Sequence, residues 1–420
     1  MPPGRGRRPG PSDFGVDRFT VPAVLDRRAE QHPDRVMMSI AGVDVTFEQM
    51  RRRSCAAANM LGSLFYTSGT TGPSKAVATT WHYLFSVAAT VASAWEFGPG
   101  EVLWTAMPLF HLSAAPSVLA PMLVGGTSVL AKTFHPSGVW DEIRARGAIG
   151  FAGAGAMVSM LNNLPADPRD PEVPLRFISA APIAADCYRG IEKRYGCRIV
   201  TMYGMTEAFP IAVEAVGDDG VPGTSGRPNP DFEVRIVDEH GDQLPVGSVG
   251  EIACRPRRPH VMSEGYVGEG DGVLQVNPHP EWFRTGDLGR LDDDQNLTYV
   301  DRLKESLRRR GENVSSVEVE GIVRRHPAVA DAAVVGVPGE LGEDDILLIV
   351  TLRPGAALDC AELLDFCAAR MPYFCVPRFV DTVARLPVNA IGRVRKDTLR
   401  ARGVTPQTWD RDKEGYVVRR

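Results

Sequence analysis

The chain is poor in lysine. Of 420 residues 47 are basic, and only six of these are lysines against 41 arginines. An ammonium and a guanidinium are not interchangeable where a compact charge is required, so each lysine marks a position to inspect. A surplus of positive charge is also missing: 52 acidic residues bring the net charge to −5, which excludes the global basic field of a nucleic-acid-binding protein. Long apolar runs are absent. The longest, such as 346–350, are far too short to span a bilayer. The basic start MPPGRGRRPGPSD has no apolar stretch after it and does not read as a signal peptide. The seven cysteines (Cys55, Cys187, Cys197, Cys254, Cys360, Cys367 and Cys375) form no CxxC pair and no Cys/His cluster with zinc spacing. An odd number in a large chain favours reduced, mostly buried thiols and a soluble, cytoplasmic protein.

What is present is a globular composition long enough for two or three domains. Residues 1–18 are rich in Pro, Gly and Arg and read as a disordered tail. Residues 20–61 read as helical material around a short VDVTF strand. A strand-like SLFYTS follows. From 80 to 230, expected helices at 81–95, 138–147 and 184–195 alternate with short apolar strands, which predicts a mostly parallel α/β core. From 231 to about 301 the pattern turns antiparallel, beginning with two strands around the Gly-containing turn of FEVRIVDEHGDQLPVGSVGEIAC. A small α+β unit comes last, its first helix opened by a capping box of Ser315 and Glu318 and stopped before Pro327. The expected division is a large α/β domain over 19–302, with a small antiparallel β part, and a mobile α+β domain over 303–420.

The segment YTSGTTGPSK (66–75) carries the most chemistry. Small and hydroxyl residues let a loop wrap a polyphosphate with backbone N–H groups and hydroxyls, while Lys75 adds charge. Its spacing is not that of a P-loop. The segment resembles the phosphate-binding signature of the adenylate-forming superfamily, which includes acyl-CoA synthetases, luciferases and nonribosomal-peptide adenylation domains. PLFHL (108–112), SAAP (179–182), MYGMTE (202–207), FRTGD (283–287), DRLKE (301–305), RRGENVSSVEVE (309–320) and LPVNAIGRVRK (386–396) resemble further motifs in the family's order. RRRGENVSS is most similar to the branch holding carnitine/crotonobetaine-type and fatty-acid-type CoA ligases.

The resemblance implies an ATP- and Mg²⁺-dependent ligase that adenylates a carboxylic acid and passes the acyl group to coenzyme A, or to the pantetheine of a carrier protein acting in trans. It places Thr67, Ser68, Gly69, Thr70, Thr71, Gly72 and Lys75 at the phosphates and Ala181 at the nucleotide. Tyr203 matches the aromatic under adenine, and Asp287 and Arg302 the ribose contacts. Glu207 matches the magnesium carboxylate, with the Thr206 hydroxyl beside it. Lys396 matches the cation that offsets repulsion between the acid and the α-phosphate. Lys304 matches the hinge about which the small domain rotates, and Gly311 and Glu312 the pantetheine tunnel. Three of the six lysines therefore fall in motifs. The Arg308–Arg310 run reads equally as a contact for CoA phosphates or as a solvated basic loop. His111 matches a gate to the acid pocket. The small residues Gly153 to Ala156 suggest room for a bulky or long acyl group, or tight backbone packing.

One departure stands out. Only 19 residues separate Thr46 from Tyr66, where family members place roughly a hundred, most of a subdomain-sized layer. An internal deletion there predicts an exposed sheet edge and apolar face, with aggregation, dimerisation through that face or survival with a reduced core as the outcomes. It also opens an alternative: a remnant that binds nucleotide or acyl-adenylate without full turnover.

Overall fold

Neighbouring apolar residues in the strands between 102 and 200 enter two different cores, because side chains alternate across a sheet that is covered on both faces. Trp104, Phe151, Ile178 and Ile199 join Trp140, Ile143, Tyr188 and Tyr195 on one face. Leu103, Ala152, Phe177 and Val200 join Tyr83, Leu84, Val91 and Trp95 on the other. The computed structural model describes residues 20–40, 43–55, 63–67, 75–183, 185–267, 273–274, 281–303, 307–309, 312–339, 344–388 and 394–418. The expected tail at 1–18 lies outside them.

The sheet has seven strands in the order Val43–Thr46, Val36–Ile40, Thr127–Leu130, Val102–Thr105, Gly150–Ala154, Phe177–Ala181 and Arg198–Val200. All pairings are parallel except that of the outermost strand, Val43–Thr46. Helix Trp81–Ala94 is capped by Thr80, whose Oγ1 accepts from the Tyr83 N–H at 3.0 Å. Its other face, with Phe85, Ala88 and Ala89, meets Val24, Leu25, Phe47, Met122 and Leu123. Buried on two sides, it is apolar nearly all round. Helices Val139–Arg146 and Ala185–Tyr195 also stand where the alternation predicts. Two elements escape that pattern. Helix Pro116–Val124 carries Pro121 in its interior, a residue that normally breaks helices. Strand Val36–Ile40 sits between two others and shows no alternation to mark it.

The expected antiparallel part is a four-stranded sheet of Phe232–Val237, Gly250–Pro256, Phe283–Leu291 and Leu297–Arg302. A second four-stranded sheet orders Val273–Leu274, Gly265–Val267, Lys75–Thr79 and Ser63–Thr67, leaving Ser63–Thr67 as an outer strand. Leu297 lies in the core of the first sheet, whereas Leu307 joins Val319, Val334, Leu348 and Leu363 in the core of the C-terminal unit. There, helix Ser316–Val323 opens as predicted, Ser315 Oγ accepting from Glu318 N at 3.2 Å. Among the described residues no helix is long and apolar enough to cross a membrane.

One buried carboxylate couples this fold to pH. Glu214 is 2% exposed and accepts hydrogen bonds from the Tyr188 hydroxyl and from Thr201 Oγ1 at 3.4 Å. Gly220 closes over it so tightly that a Cβ there would lie 1.8 Å from Glu214 Oε1. Burial pushes the Glu214 carboxyl up to about 7, opposed by the hydrogen bonds from Tyr188 and Thr201 and by the Arg198 charge, and reinforced by Glu192. Because the folded value is raised, the stability it contributes is present below the unfolded carboxylate range and lost as pH rises through 7. Glu214→Gln should therefore flatten the fall in melting temperature between pH 5 and 8, removing a penalty on the order of 3 kcal/mol at the alkaline end. Melting curves at both pH values check this, and an unchanged slope would contradict it.

Candidate active site

The centre of the site is a carboxylate held from three strands. Register places Asp287 directly opposite Arg302, so the two expected ribose contacts are cross-strand neighbours, with Arg302 Nε 3.4 Å from Asp287 Oδ1. From strand Met202–Met205, the Tyr203 hydroxyl donates to Asp287 Oδ2 at 3.0 Å. Thr285 Oγ1 accepts from Asp287 N at 3.2 Å and donates to Ile252 O at 2.8 Å. Asp287 is 4% exposed and Tyr203 7%. Burial, reinforced by the Asp287 charge, pushes the Tyr203 phenol up, so it remains a donor. The ring itself packs with Ala208, Ile211 and Phe232, and its hydroxyl fixes one oxygen of Asp287.

Glu207 lies in a tight turn between strands Met202–Met205 and Ala208–Val213. A Cβ on Gly204 would come within 2.7 Å of Ala208 O, which explains the glycine of MYGMTE. The turn is pinned on both sides: the Tyr83 hydroxyl donates to Thr206 O at 3.2 Å, and Ser263 N donates to Glu207 O at 2.8 Å. The Glu207 side chain is 6% exposed, and its Oε1 accepts from the Tyr266 hydroxyl. Tyr266 stands in strand Gly265–Val267, paired with Lys75–Thr79, and Lys75 Nζ lies 4.8 Å from its ring centroid. Burial and the Glu207 contact push the Tyr266 phenol up. Lys75, Tyr266 and Glu207 thus form a row that sequence reasoning did not contain. No motif or spacing marks Tyr266, which reaches Glu207 only through the pairing of its strand.

A hard oxygen donor such as Glu207 suits Mg²⁺, which takes one or two protein carboxylates and otherwise phosphate and water. Its Oε2 has no partner among the described residues, and among those residues no group of three or more His, Cys, Asp or Glu could hold a metal ion. A magnesium ion at Glu207 would therefore take its remaining ligands from phosphate and water. The segment expected at the phosphates falls between strands Ser63–Thr67 and Lys75–Thr79, in which Thr67 pairs with Lys75. Ser68, Gly69, Thr70, Thr71 and Gly72 lie outside the described residues, as does the side chain of Thr67.

Lys396 is not brought to this centre. It begins helix Lys396–Arg402, with Nζ 2.7 Å from Glu320 Oε1 and hydrogen-bonded to Ser316 Oγ. Lys304 and Gly311 lie outside the described residues, and so does the side chain of Glu312, whose backbone opens strand Glu312–Val314. The Arg308–Arg310 run is corrected at its middle: Arg309 is 6% exposed, donates to Val376 O at 2.8 Å and lies 3.3 Å from Asp345. Its guanidinium braces the C-terminal unit and is not presented to CoA phosphates.

On the acid side, His111 precedes the short turn Leu112–Ala114, and its ring lies 4.6 Å from that of the exposed Phe110. Burial holds its imidazole below the usual range. Ala181 ends strand Phe177–Ala181, opposite Ala154. Packing accounts for the two glycines of the 153–156 stretch. A Cβ on Gly155 would lie 1.7 Å from Pro182 O, and one on Gly153 2.5 Å from the Phe151 ring. These glycines make room for neighbouring groups of the protein itself and offer no support for an enlarged acyl pocket.

Comparison with known proteins agrees with this architecture. Residues 62–267 match the AMP-binding enzyme family and residues 318–393 the AMP-binding enzyme C-terminal domain. A crotonobetaine/carnitine–CoA ligase of Salmonella paratyphi B is 30% identical over 93% of this chain and 72% of its own length. That of Salmonella typhi is 31% identical over 80% of the chain and 66% of its own length. This chain is thus shorter than the curated relatives it matches. Among solved structures, ATP-bound MatB from Rhodopseudomonas palustris superposes with a TM-score of 0.73 at 29% identity, covering 81% of this chain and 67% of that one. The amide bond synthetase McbA from Marinactinospora thermotolerans gives 0.71 at 29% identity, covering 81% and 69%. With matches to both domains and a relative aligned along nearly all of it, the chain belongs to the AMP-binding enzyme family, the adenylate-forming enzymes that include ATP-dependent acid–CoA ligases.

Proposed function

We propose that this chain joins a carboxylic acid to coenzyme A in two steps at one site. In the first, an acid oxygen attacks the α-phosphorus of ATP, the bond to the leaving pyrophosphate breaks and an acyl-adenylate forms. In the second, the CoA thiol loses its proton and attacks the acyl carbon, and AMP leaves. The observation that carries this reading is the buried Asp287, held by the Tyr203 hydroxyl and faced by Arg302. A fixed carboxylate beside a guanidinium suits a vicinal diol, the ribose of a nucleotide.

In this reading Glu207 holds Mg²⁺, which when bound neutralises phosphate charge, and Tyr266 keeps the Glu207 carboxylate in place. Lys75 and the 67–72 loop take the phosphates, with Thr206 and Ala181 beside them. Lys396 bridges acid and α-phosphate in the first step. For that, the 303–420 domain turns about Lys304 relative to 19–302, and in the second step it presents Gly311 and Glu312 to the pantetheine arm. His111 borders the acid pocket. The acid is proposed by class only, since the glycines at 153 and 155 are filled by neighbours. The six described cysteines are all free thiols, which supports a reducing, cytoplasmic setting.

Acid-dependent AMP release tests the proposal, with Mg-ATP, CoA and a pool of crotonobetaine, carnitine, o-succinylbenzoate and anthranilate. Release above the no-acid control is expected, and subdividing the pool then names the acid. The short spacing between Thr46 and Tyr66 favours a second reading, a half-reaction or binding protein. That reading prevails if a monodisperse, ATP-binding protein releases no AMP. Replacing CoA by a carrier-protein pantetheine or an amine in the same assay discriminates the acceptor.

A further inference from the structure

Lys396 is retained by a chain of hydrogen bonds that begins one residue from the ribose contact. Asp301 precedes Arg302 in strand Leu297–Arg302 and is 1% exposed. Its Oδ2 accepts both Ser316 N, at 2.7 Å, and Ser316 Oγ, at 2.6 Å, so it clamps the first turn of helix Ser316–Val323. The Ser316 hydroxyl, its proton committed to Asp301, accepts from Lys396 Nζ. The ammonium is completed by Glu320, one turn further along the helix, with Oε1 2.7 Å away. Glu320 is itself fixed: Oε1 also accepts from Val334 N at 2.8 Å, and Arg324 Nη2 lies 3.3 Å from Oε2. The side chains of Lys396 and Glu320 are only 11% and 8% exposed.

A charge so placed is held firmly, because removing a nearly buried ammonium from a fixed carboxylate forfeits a charge-assisted hydrogen bond and leaves Glu320 with Arg324 as its one charged partner among the described residues. The geometry also crosses the division between the two domains. Asp301 lies on the nucleotide side of Lys304, while Ser316, Glu320 and Lys396 lie beyond it. We propose that Asp301, Ser316 and Glu320 form a latch that holds the Lys396 side chain against helix Ser316–Val323, with Ser316 a positioning residue whose contact with Asp301 must break before Lys396 can reach the acid and the α-phosphate. The timing rests on the proposed role of Lys396, whereas the retention itself does not.

The six lysines make the test simple. The full-length protein is treated with a limiting amine-acylating reagent, and modification at each lysine is followed by mass spectrometry. Lys413, whose side chain is 82% exposed, serves as the internal reference. Lys396 is expected to react at least about tenfold more slowly than Lys413, the effect of about one charge-assisted buried hydrogen bond. Glu320→Gln should release it by about tenfold, and the nearly isosteric Ser316→Ala by about threefold, in protein that still melts cooperatively. Wild-type labelling at the Lys413 rate, or protection unchanged in both folded variants, overturns the latch. Once an acid is known, Ser316→Ala should raise kcat for ATP–pyrophosphate exchange at unchanged KM for ATP, which a merely structural serine would not do. Exchange unaltered while labelling rises would overturn the timing role. If Lys396→Ala keeps full exchange, the proposed chemistry fails while the labelling result stands.

Discussion

Lys396→Ala is expected to reduce adenylate formation by about a hundredfold or more, the scale of losing one preorganised group at developing charge. Acyl transfer from a supplied acyl-adenylate to CoA should change little. The asymmetry follows from electrostatics. Only the first step presses two anions together, so only there does a bridging ammonium gain strength in the transition state. ATP–pyrophosphate exchange reads the first step, and thioester formation from synthetic acyl-adenylate the second. Equal loss in both assays would remove Lys396 from the first step. The structure sharpens the expectation, because Lys396 sits with Ser316 and Glu320 and not beside Asp287 or Glu207. Its removal should therefore leave nucleotide affinity unaltered, placing the defect in kcat and not in KM for ATP.

The second large effect is expected at Glu207. Glu207→Gln keeps an acceptor for the Tyr266 hydroxyl but removes the charge that a hard cation needs, so Mg-ATP affinity should fall by about tenfold or more. Tyr266→Phe leaves the charge and removes only its anchor, and should cost about threefold to tenfold. Calorimetric titration of the folded variants with ATP at fixed free Mg²⁺ measures both. Unchanged affinity in Glu207→Gln would take it out of the site. An effect of Tyr266→Phe as large as that of Glu207→Gln would mean that Tyr266 touches the nucleotide directly.

The value of the lysine scarcity differs among the three motif lysines. Lys75 stands beside Tyr266 at the end of the loop hairpin, as its place in the loop suggests. Lys396 is equally well marked by its motif, yet the structure keeps it in another neighbourhood. Lys304 lies outside the described residues. Scarcity therefore marks positions to inspect and says nothing of where the ammonium group sits in the fold.

What the sequence determined by itself is whatever depends on short stretches of chain. Continuous apolar strands alternating with helices require a parallel sheet covered on both faces, and that is how 102–200 is built. Ser315 caps its helix because a hydroxyl three residues before an N–H can do so in any setting. The hairpin around the Gly/Thr loop is equally local. Tertiary structure alone decided the rest. Asp287 meets Arg302 through strand register, and Glu207 meets a tyrosine 59 residues away. Gly155 proved to be pressed against Pro182, and Arg309 to be buried beside Asp345. Lys396 is drawn onto a serine 80 residues earlier in the chain. Residue type states what chemistry a side chain can perform, but its partner is set by which strands pair and which helices dock. Those choices depend on the burial of the whole apolar surface, to which no single motif contributes enough to be read alone.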